Sequence, residues 1–385
     1  MRITLIGPAF PWRGGIPLWT TDLARRLTGA GHHVTLRNWT HQGPARLLPA
    51  ERHPLTAPES DVYPTVDEPL SWNSPAQWWR TGQRAAAESD VVVLTFYTTL
   101  QALALWAIAL CARRHARVVL ICHNVVPHEA RPGDRPLLAM LARAVDAVLV
   151  HTWAQHDALA VLTDQPAAVA ALPPHLPIGE RRPTPTGVEP KRRLLFFGKV
   201  RHYKGVDVLL RAVARMEGVH LSIVGEFYQN LSELITLIAE LDLADRVRVH
   251  PEYLPAEHIP ELFTDADALV LPYRKATASQ FVALAQFHGL PVVATRVGNF
   301  PDAVRHGVDG LLCEPGDVDD LAAALRRLYE PGQLDRLRAA VRPAETESSW
   351  RNYLDTLDEL IRRPGGRTPR PAPRLGAVLG RRPGR

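Results

Sequence analysis

The sequence predicts an α/β protein with two doubly wound parallel sheets, and three observations carry that prediction. Short, nearly continuous apolar strands alternate with helical stretches twice along the chain, the pattern of parallel strands covered on both faces. The 385 residues exceed what one ordinary core supports, so two domains of average size are expected. A proline-rich stretch without periodicity, LPPHLPIGERRPTPTGVE at 172–189, separates the two runs and reads as a linker. The expected organisation is a first domain at 1–175 with an irregular insertion at 40–82, a linker at 176–190, a second domain at 191–345, a helix at 346–363 and a tail at 364–385.

The first strand is expected at 2–6. Gly14 and Gly15 then open a helix lined by Leu18, Leu23 and Leu27, which stops at Gly29 to Gly31 before a strand at 34–36. Adjacent glycines let backbone approach a ligand at a helix start, although the same pair also makes a plain turn. Residues 40–82 contain seven prolines with Trp72, Trp78 and Trp79, a composition that suits irregular chain running over the surface. Strands are expected next at 91–96, 118–122 and 147–150, with helices at 100–112 and 137–145 between them. His123, Asn124, His128 and Glu129, in ICHNVVPHE, fall just past the carboxyl end of a strand, where open α/β sheets bind ligands. Two histidines and a glutamate there favour a site, and no further ligand set with metal spacing joins them.

The second half opens with LLFFGKVRHYKGVDVLL. A buried strand at 194–197 runs into a turn with Gly198 and Gly205 that carries Lys199, Arg201 and Lys204, and a helix follows at 206–215. Helix-start N–H groups and nearby cations can converge on a phosphate there. Solvated cations on an ordinary turn fit the same local pattern, and both readings stay open. Further strands are expected at 221–224, 247–250, 268–271, 292–294 and near Leu311, with helices at 231–239, 258–263 and 281–287. Asp317, Asp319 and Asp320 begin another helix, where acids suit the free N–H groups. Asp265 and Asp267 spell DxD, but they precede their strand, so helix-end and loop solvation is the expected role.

Composition narrows the function classes. Cys111, Cys122 and Cys313 are odd in number and lie in apolar runs, giving neither a disulfide framework nor a zinc pattern, and a reducing cytoplasm fits. The amino terminus reaches Gly7 and Pro8 too soon for an export signal. The apolar run at 100–112 is shorter than the ~20 residues that cross a bilayer. The net charge of +5 belongs to the tail: residues 362–385 hold eight arginines and no acid, a composition expected to stay disordered. No nucleic-acid-binding signature accompanies it, so no nucleic-acid partner is expected.

Taken together, GPAFPWRGGI, GHHV, HNVVPHE, FFGKVRHYKG, IVGEFY, YLPAEHIPELFTDADALVLPYRKAT, GLPVVATRVGNFPDAV, HGVDGLLCEPGD and WRNYLDTLDELI resemble, in order and spacing, the retaining glycosyltransferases of family 4. The similarity runs from Met1 to about Ile361 and is nearest to bacterial members reading HNVxPHE and PYxxATxS. It implies the GT-B architecture, two facing Rossmann-like domains with a last helix crossing back onto the first. It also implies a nucleoside-diphosphate sugar as donor and a saccharide or lipid-linked acceptor, in cell-envelope or exopolysaccharide synthesis. Lys204, with Lys199 or Arg201 beside Gly198, would hold the diphosphate, and His123 would face the transferred sugar. Glu226, Thr277, Ser279, Gln280 and Asp302 would complete the donor side, and Gly14, Gly15, His128 and Glu129 the cleft side of the first domain. Cations and helix starts would stabilise the leaving charge in place of a metal, so no cofactor is expected. The resemblance places the protein in the cytoplasm, with peripheral contact to an anionic membrane left open.

The sequence also departs from the family. The usual arginine is Lys199, which keeps the charge without the bidentate fork. The usual pair of glutamates is missing between Lys275 and Pro291, Gln280 stands where close relatives have glycine, and Ala278 where they have glutamine. The departures at Gln280 and Ala278 motivate one alternative, a catalytically degenerate binding subunit, and the shared two-domain plan a second, a nucleotide-sugar epimerase.

Overall fold

The computed structural model describes residues 1–12, 14–44, 65–125, 132–174, 192–228, 230–254, 258–276, 279–343 and 345–363. The linker and tail expected at 176–190 and 364–385 lie outside them.

The first half comprises β1 (Arg2–Ile6), α1 (Gly15–Gly29), β2 (His33–His41), β3 (Thr65–Ser71), α2 (Pro75–Glu88), β4 (Val91–Phe96), α3 (Ala102–Ala112), β5 (Arg117–Cys122), α4 (Asp134–Ala144), β6 (Ala147–Val150), α5 (Trp153–Ala160) and β7 (Ala167–Val169). Its seven strands lie in the order β3-β2-β1-β4-β5-β6-β7, all parallel. Every residue of β4 is buried, because helices cover both faces and the run Val-Val-Val-Leu needs both covered.

The second half comprises β8 (Arg193–Phe197), α6 (Val206–Ala214), β9 (His220–Val224), α7 (Leu231–Glu240), β10 (Val247–His250), α8 (Ile259–Thr264), β11 (Ala268–Leu271), α9 (Phe281–Phe287), β12 (Val292–Thr295), α10 (Phe300–Ala303), β13 (Gly310–Cys313), α11 (Val318–Leu328) and α12 (Gln333–Ala340), followed by α13 (Thr346–Arg362). These six strands are parallel too, in the order β10-β9-β8-β11-β12-β13. Asp317 caps α11 by accepting from the N–H groups of Asp319 and Asp320.

The segment 40–82 corrects the expectation of an irregular insertion. β2 continues to His41, β3 adds an edge strand, and α2 starts at Pro75. Prolines are compatible with this: Pro69 lies in an edge strand and Pro75 opens a helix, where a missing N–H costs nothing. Trp78 Nε1 donates to the Ser71 carbonyl at 2.7 Å and pins α2 to the end of β3. Residues 45–64 lie outside the described residues. α5, β7, α10 and α12 were not foreseen, being short or weakly apolar.

The DxD expectation is corrected for one of its two acids. Asp265 stays at the surface against Arg193, whereas the Asp267 side chain is 1% exposed and takes a 2.7 Å hydrogen bond from Arg338, itself 4% exposed. Asp267 also accepts from the Arg193 N–H at 3.0 Å and from the Tyr329 hydroxyl at 3.4 Å, so it ties α12 to the entry of β8 and β11. Cys122 and Cys313 are buried, and burial pushes each thiol up to about 12, where it is inert.

α13 leaves the second half and completes the first. Trp350, Tyr353, Leu357, Leu360 and Ile361 join Ile3, Leu5, Trp19, Leu23, Val93, Ile121 and Leu149 in one core. Arg117 Nε donates to the Leu360 carbonyl at 3.0 Å, and Arg26 holds both Glu347 oxygens at 3.0 Å while lying 4.6 Å over the Trp350 ring. The apolar stripe is the adhesive here: Glu347→Ala is expected to cost less than about 1 kcal/mol in urea unfolding, because Glu347 is exposed. A larger loss would make the ion pair a main attachment.

Candidate functional site

The carboxyl ends of the strands in the two sheets face each other. A Cβ built on Gly14, in the loop after β1, would lie 3.6 Å from Lys199 Nζ in the loop after β8. Gln280 Nε2, ahead of α9, donates to the carbonyl of Leu172 in the first half at 3.3 Å. The candidate site lies where these loops meet.

Its cations are placed by backbone pairing. Val200 is buried, donates its N–H to the Glu226 carbonyl at 2.8 Å and accepts from Tyr228 N at 3.0 Å. This bridge to the loop after β9 holds residues 199–201 extended, so Lys199 and Arg201 emerge together on the side opposite Val200. Both reach Tyr228: Lys199 Nζ lies 5.0 Å and Arg201 Cζ 4.3 Å from its ring centre, and Lys199 Nζ donates to its hydroxyl at 3.0 Å. The backbone then turns back through His202–Lys204 and closes at Gly205, whose φ of +68° and whose approach to Pro272 (an added Cβ would lie 2.0 Å from its carbonyl oxygen) admit only glycine. At Gly198, φ +110°, an added Cβ would strike the Phe281 ring at 2.4 Å. Arg274 braces the turn from the β11 loop, donating to both Asp207 oxygens at 2.8 and 2.7 Å and to the His202 carbonyl at 3.0 Å. Burial works to raise the Asp207 carboxyl, but the Arg274 hydrogen bonds and charge outweigh it and hold it below its ordinary value.

Lys204 is the buried member, 6% exposed, with Nζ 5.1 Å from the Tyr273 ring centre and 5.0 Å from that of Phe281. Burial, then Arg201, then Lys199 pull its ammonium from the ordinary 10.5 down to about 7, and no carboxylate among the described residues acts in the opposite direction. Three convergent cations backed by aromatic rings suit a compact, multiply charged anion.

On the other side, His123 follows β5 and is buried, with its ring 4.6 Å from that of Trp19, edge to face. Its Nδ1 lies 3.0 Å from Nε2 of His151, which follows β6. Gly15 is the first residue of α1, with Gly14 ahead of it. On the donor side the Ser279 N–H donates to Asn299 Oδ1 at 3.0 Å, while Asp302 is exposed in α10 and makes no described contact with the cationic loop. Glu226 contributes its backbone to the bridge with Val200 and is half-buried. His128, Glu129 and Thr277 lie outside the described residues. Sequence reasoning missed Tyr228, Arg274 and His151. For His151 the signal was available, since it follows β6 as His123 follows β5.

The Glycosyltransferase Family 4 model matches residues 13–174, the first sheet with its helices, and the Glycosyl transferases group 1 model matches 191–331, the second. The chain belongs to glycosyltransferase family 4. Among its relatives in that family, the D-inositol 3-phosphate glycosyltransferase of Mycobacterium marinum is 32% identical over 188 residues, 47% of this chain and 40% of that one. The chain therefore spans about two fifths of the mycobacterial relative. D-inositol 3-phosphate glycosyltransferase 1 of Catenulispora acidiphila is 27% identical over 351 residues, 82% of each chain. The structure of Anabaena HepE in complex with UDP and glucose matches with a TM-score of 0.72 at 18% identity, over 93% of this chain and 100% of that one. This likeness shows the fold, the GT-B pairing of two parallel-sheet units.

Proposed function

We propose that this family 4 protein transfers a sugar from a nucleoside diphosphate to a saccharide or lipid-linked acceptor with retention of anomeric configuration, in envelope or exopolysaccharide synthesis. The observation that carries the reading is Lys204. A buried ammonium lowered to about 7 beside Arg201 and Lys199 is a site whose charge is restored by an anion, and the neighbouring Lys199 faces the Gly14 loop across the cleft. Lys204, Lys199 and Arg201 hold the diphosphate and stabilise it as it leaves, in the role a divalent metal fills elsewhere. His123 meets the transferred sugar from the first half.

The test is transfer and hydrolysis by the purified protein across UDP, GDP and ADP sugars, with and without EDTA, alongside a thermal shift for each nucleotide. Release of one nucleotide with one matching shift, undiminished by EDTA, supports the reading; release only with added metal would overturn the metal-free part. Neither shift nor release from folded protein would favour the binding-subunit reading. That second reading has one observation behind it: Gln280, in place of the relatives' glycine, bridges to Leu172 beside the cationic loop.

Protonation gives a separate expectation. A bound diphosphate raises the Lys204 value again, so binding takes up a proton wherever the free protein has lost it, above about pH 7. Nucleotide affinity should fall as pH rises from 7, and calorimetry at pH 8 in buffers of different ionisation enthalpy should show uptake approaching about one proton. No uptake would mean that Lys204 does not meet the phosphates.

Peripheral membrane contact belongs to the same proposal. No helix among the described residues is long and apolar enough to cross a membrane, but α2 and α3 expose Trp79 and Leu103, 54% and 48%, and Arg80 and Arg84 are also exposed on α2. Cosedimentation with anionic vesicles, weakened by Trp79→Ala with Leu103→Ala, tests it; no cosedimentation of the unaltered protein would end the idea.

A further inference from the structure

β5 and β6 are neighbours in the first sheet, and each ends in a histidine. His123 and His151 are both 4% exposed. Nδ1 of His151 lies 3.2 Å from the carbonyl oxygen of Ala170, and Nε2 of the same ring lies 3.0 Å from Nδ1 of His123. A carbonyl can only accept, so the proton of the His151–Ala170 contact sits on Nδ1 of His151. In the neutral ring Nε2 of His151 is then an acceptor. His123 must donate to it from Nδ1, which makes the other nitrogen of His123, Nε2, the acceptor nitrogen of that ring. The network places these protons, and a single backbone carbonyl fixes the whole sequence.

The surroundings hold both rings to this arrangement. Gln155, in the first turn of α5, accepts from the His151 N–H through Oε1 at 2.8 Å and donates through Nε2 to the His123 carbonyl at 2.7 Å. One amide therefore sets the spacing of the two histidine backbones. Trp19 packs edge-on against His123, and the Tyr353 ring of α13 lies 6.0 Å from that of His151.

We propose that His151 is a positioning residue that locks His123 in its Nδ1–H tautomer, so that the group of the transferred sugar meeting His123 is a hydroxyl donating a hydrogen bond. The inference rests on the transferase reading for the identity of the ligand, but the tautomer stands on the protein alone. An unconstrained histidine side chain prefers the proton on Nε2. Without His151, His123 reverts to that form and turns a donor toward a hydroxyl it should accept from.

The experiment is ring-nitrogen NMR of the full chain labelled with 15N-histidine, with His123→Gln used to assign the His123 signals. The native protein should show His123 as Nδ1–H, and His151→Leu should shift it to Nε2–H. With the nucleotide sugar turned over best, the leucine variant should lose roughly 10- to 100-fold in kcat, the equivalent of one hydrogen bond, with nucleotide affinity unchanged. His151→Gln, whose carbonyl oxygen can still accept from His123, should restore the tautomer and most of kcat, which a purely structural role would not require. An Nε2–H signal for His123 in the native protein overturns the proposal, even if His151→Leu fails to fold. An unchanged tautomer in folded His151→Leu also overturns it. An Nδ1–H signal in a protein that turns over no nucleotide sugar would sink the transferase reading and leave the tautomer lock standing.

Discussion

Replacing Lys204 with methionine is expected to raise the melting temperature of the ligand-free protein, abolish the nucleotide-induced shift and lower turnover by about 10²–10³-fold. Methionine fills a similar volume between Tyr273 and Phe281 without carrying a charge into a buried place. The gain depends on pH in a definite direction. The folded value, about 7, lies below the ordinary 10.5, so below pH 7 the ammonium is charged in folded and unfolded chain alike and the full burial cost is present. Between pH 7 and 10.5 the folded protein has shed a proton that the unfolded chain still holds, and the native protein recovers stability. The methionine variant should therefore lead most at or below pH 7 and lose its lead as the solution becomes alkaline. Thermal melts from pH 6 to 10, with and without nucleotide, check this. A variant that melts lower throughout, or keeps its nucleotide shift, would show that Lys204 is held for the fold and not for the ligand.

Asp267→Ala should be the most damaging single change outside the site. It strands Arg338 at 4% exposure and leaves the Arg193 N–H and the Tyr329 hydroxyl without their acceptor, a loss of about 3–5 kcal/mol in urea unfolding. Burial, then the charge of Asp267, already pushes the Tyr329 hydroxyl above its usual range, so that phenol is committed to donating. Pairing Asp267→Leu with Arg338→Met should recover much of the loss, because two apolar groups leave no buried charge behind. If Asp267→Ala costs under about 1 kcal/mol, the pair does not hold α12 in place.

These two residues also show what a sequence discloses. The strand, turn and helix of the cationic loop were legible from an apolar run broken by Gly198 and Gly205, although the local pattern left the use of its cations open, and both sheets were legible because their strands are uninterrupted apolar runs. β7, Ala167–Val169, was not, since three small residues carry no periodicity and earn their place only by pairing with β6. Asp265 and Asp267 share one spacing and have opposite surroundings, because the partner of Asp267 is Arg338, far along the chain. In the sequence Gln280 shows only as a departure from the relatives' glycine, and the structure turns its amide toward Leu172 in the other half. His151 was passed over because its meaning lies in the neighbouring strand's histidine and in the Ala170 carbonyl, neither visible as a local pattern. Chemistry that depends on one residue's neighbours in sequence could be read, and chemistry that depends on packing partners could not.

The placement of α13 bears on how the chain is made. The ribosome delivers Ile3, Leu5, Trp19 and Leu23 first, and the residues that cover them, Trp350, Tyr353 and Leu360, last. The second sheet is contiguous in the chain and can mature while the first is still open on one side. The usual amino-to-carboxyl order of domain maturation during synthesis is thereby inverted. The half begun first is finished only when α13 emerges, and until then the nascent chain presents an uncovered apolar surface.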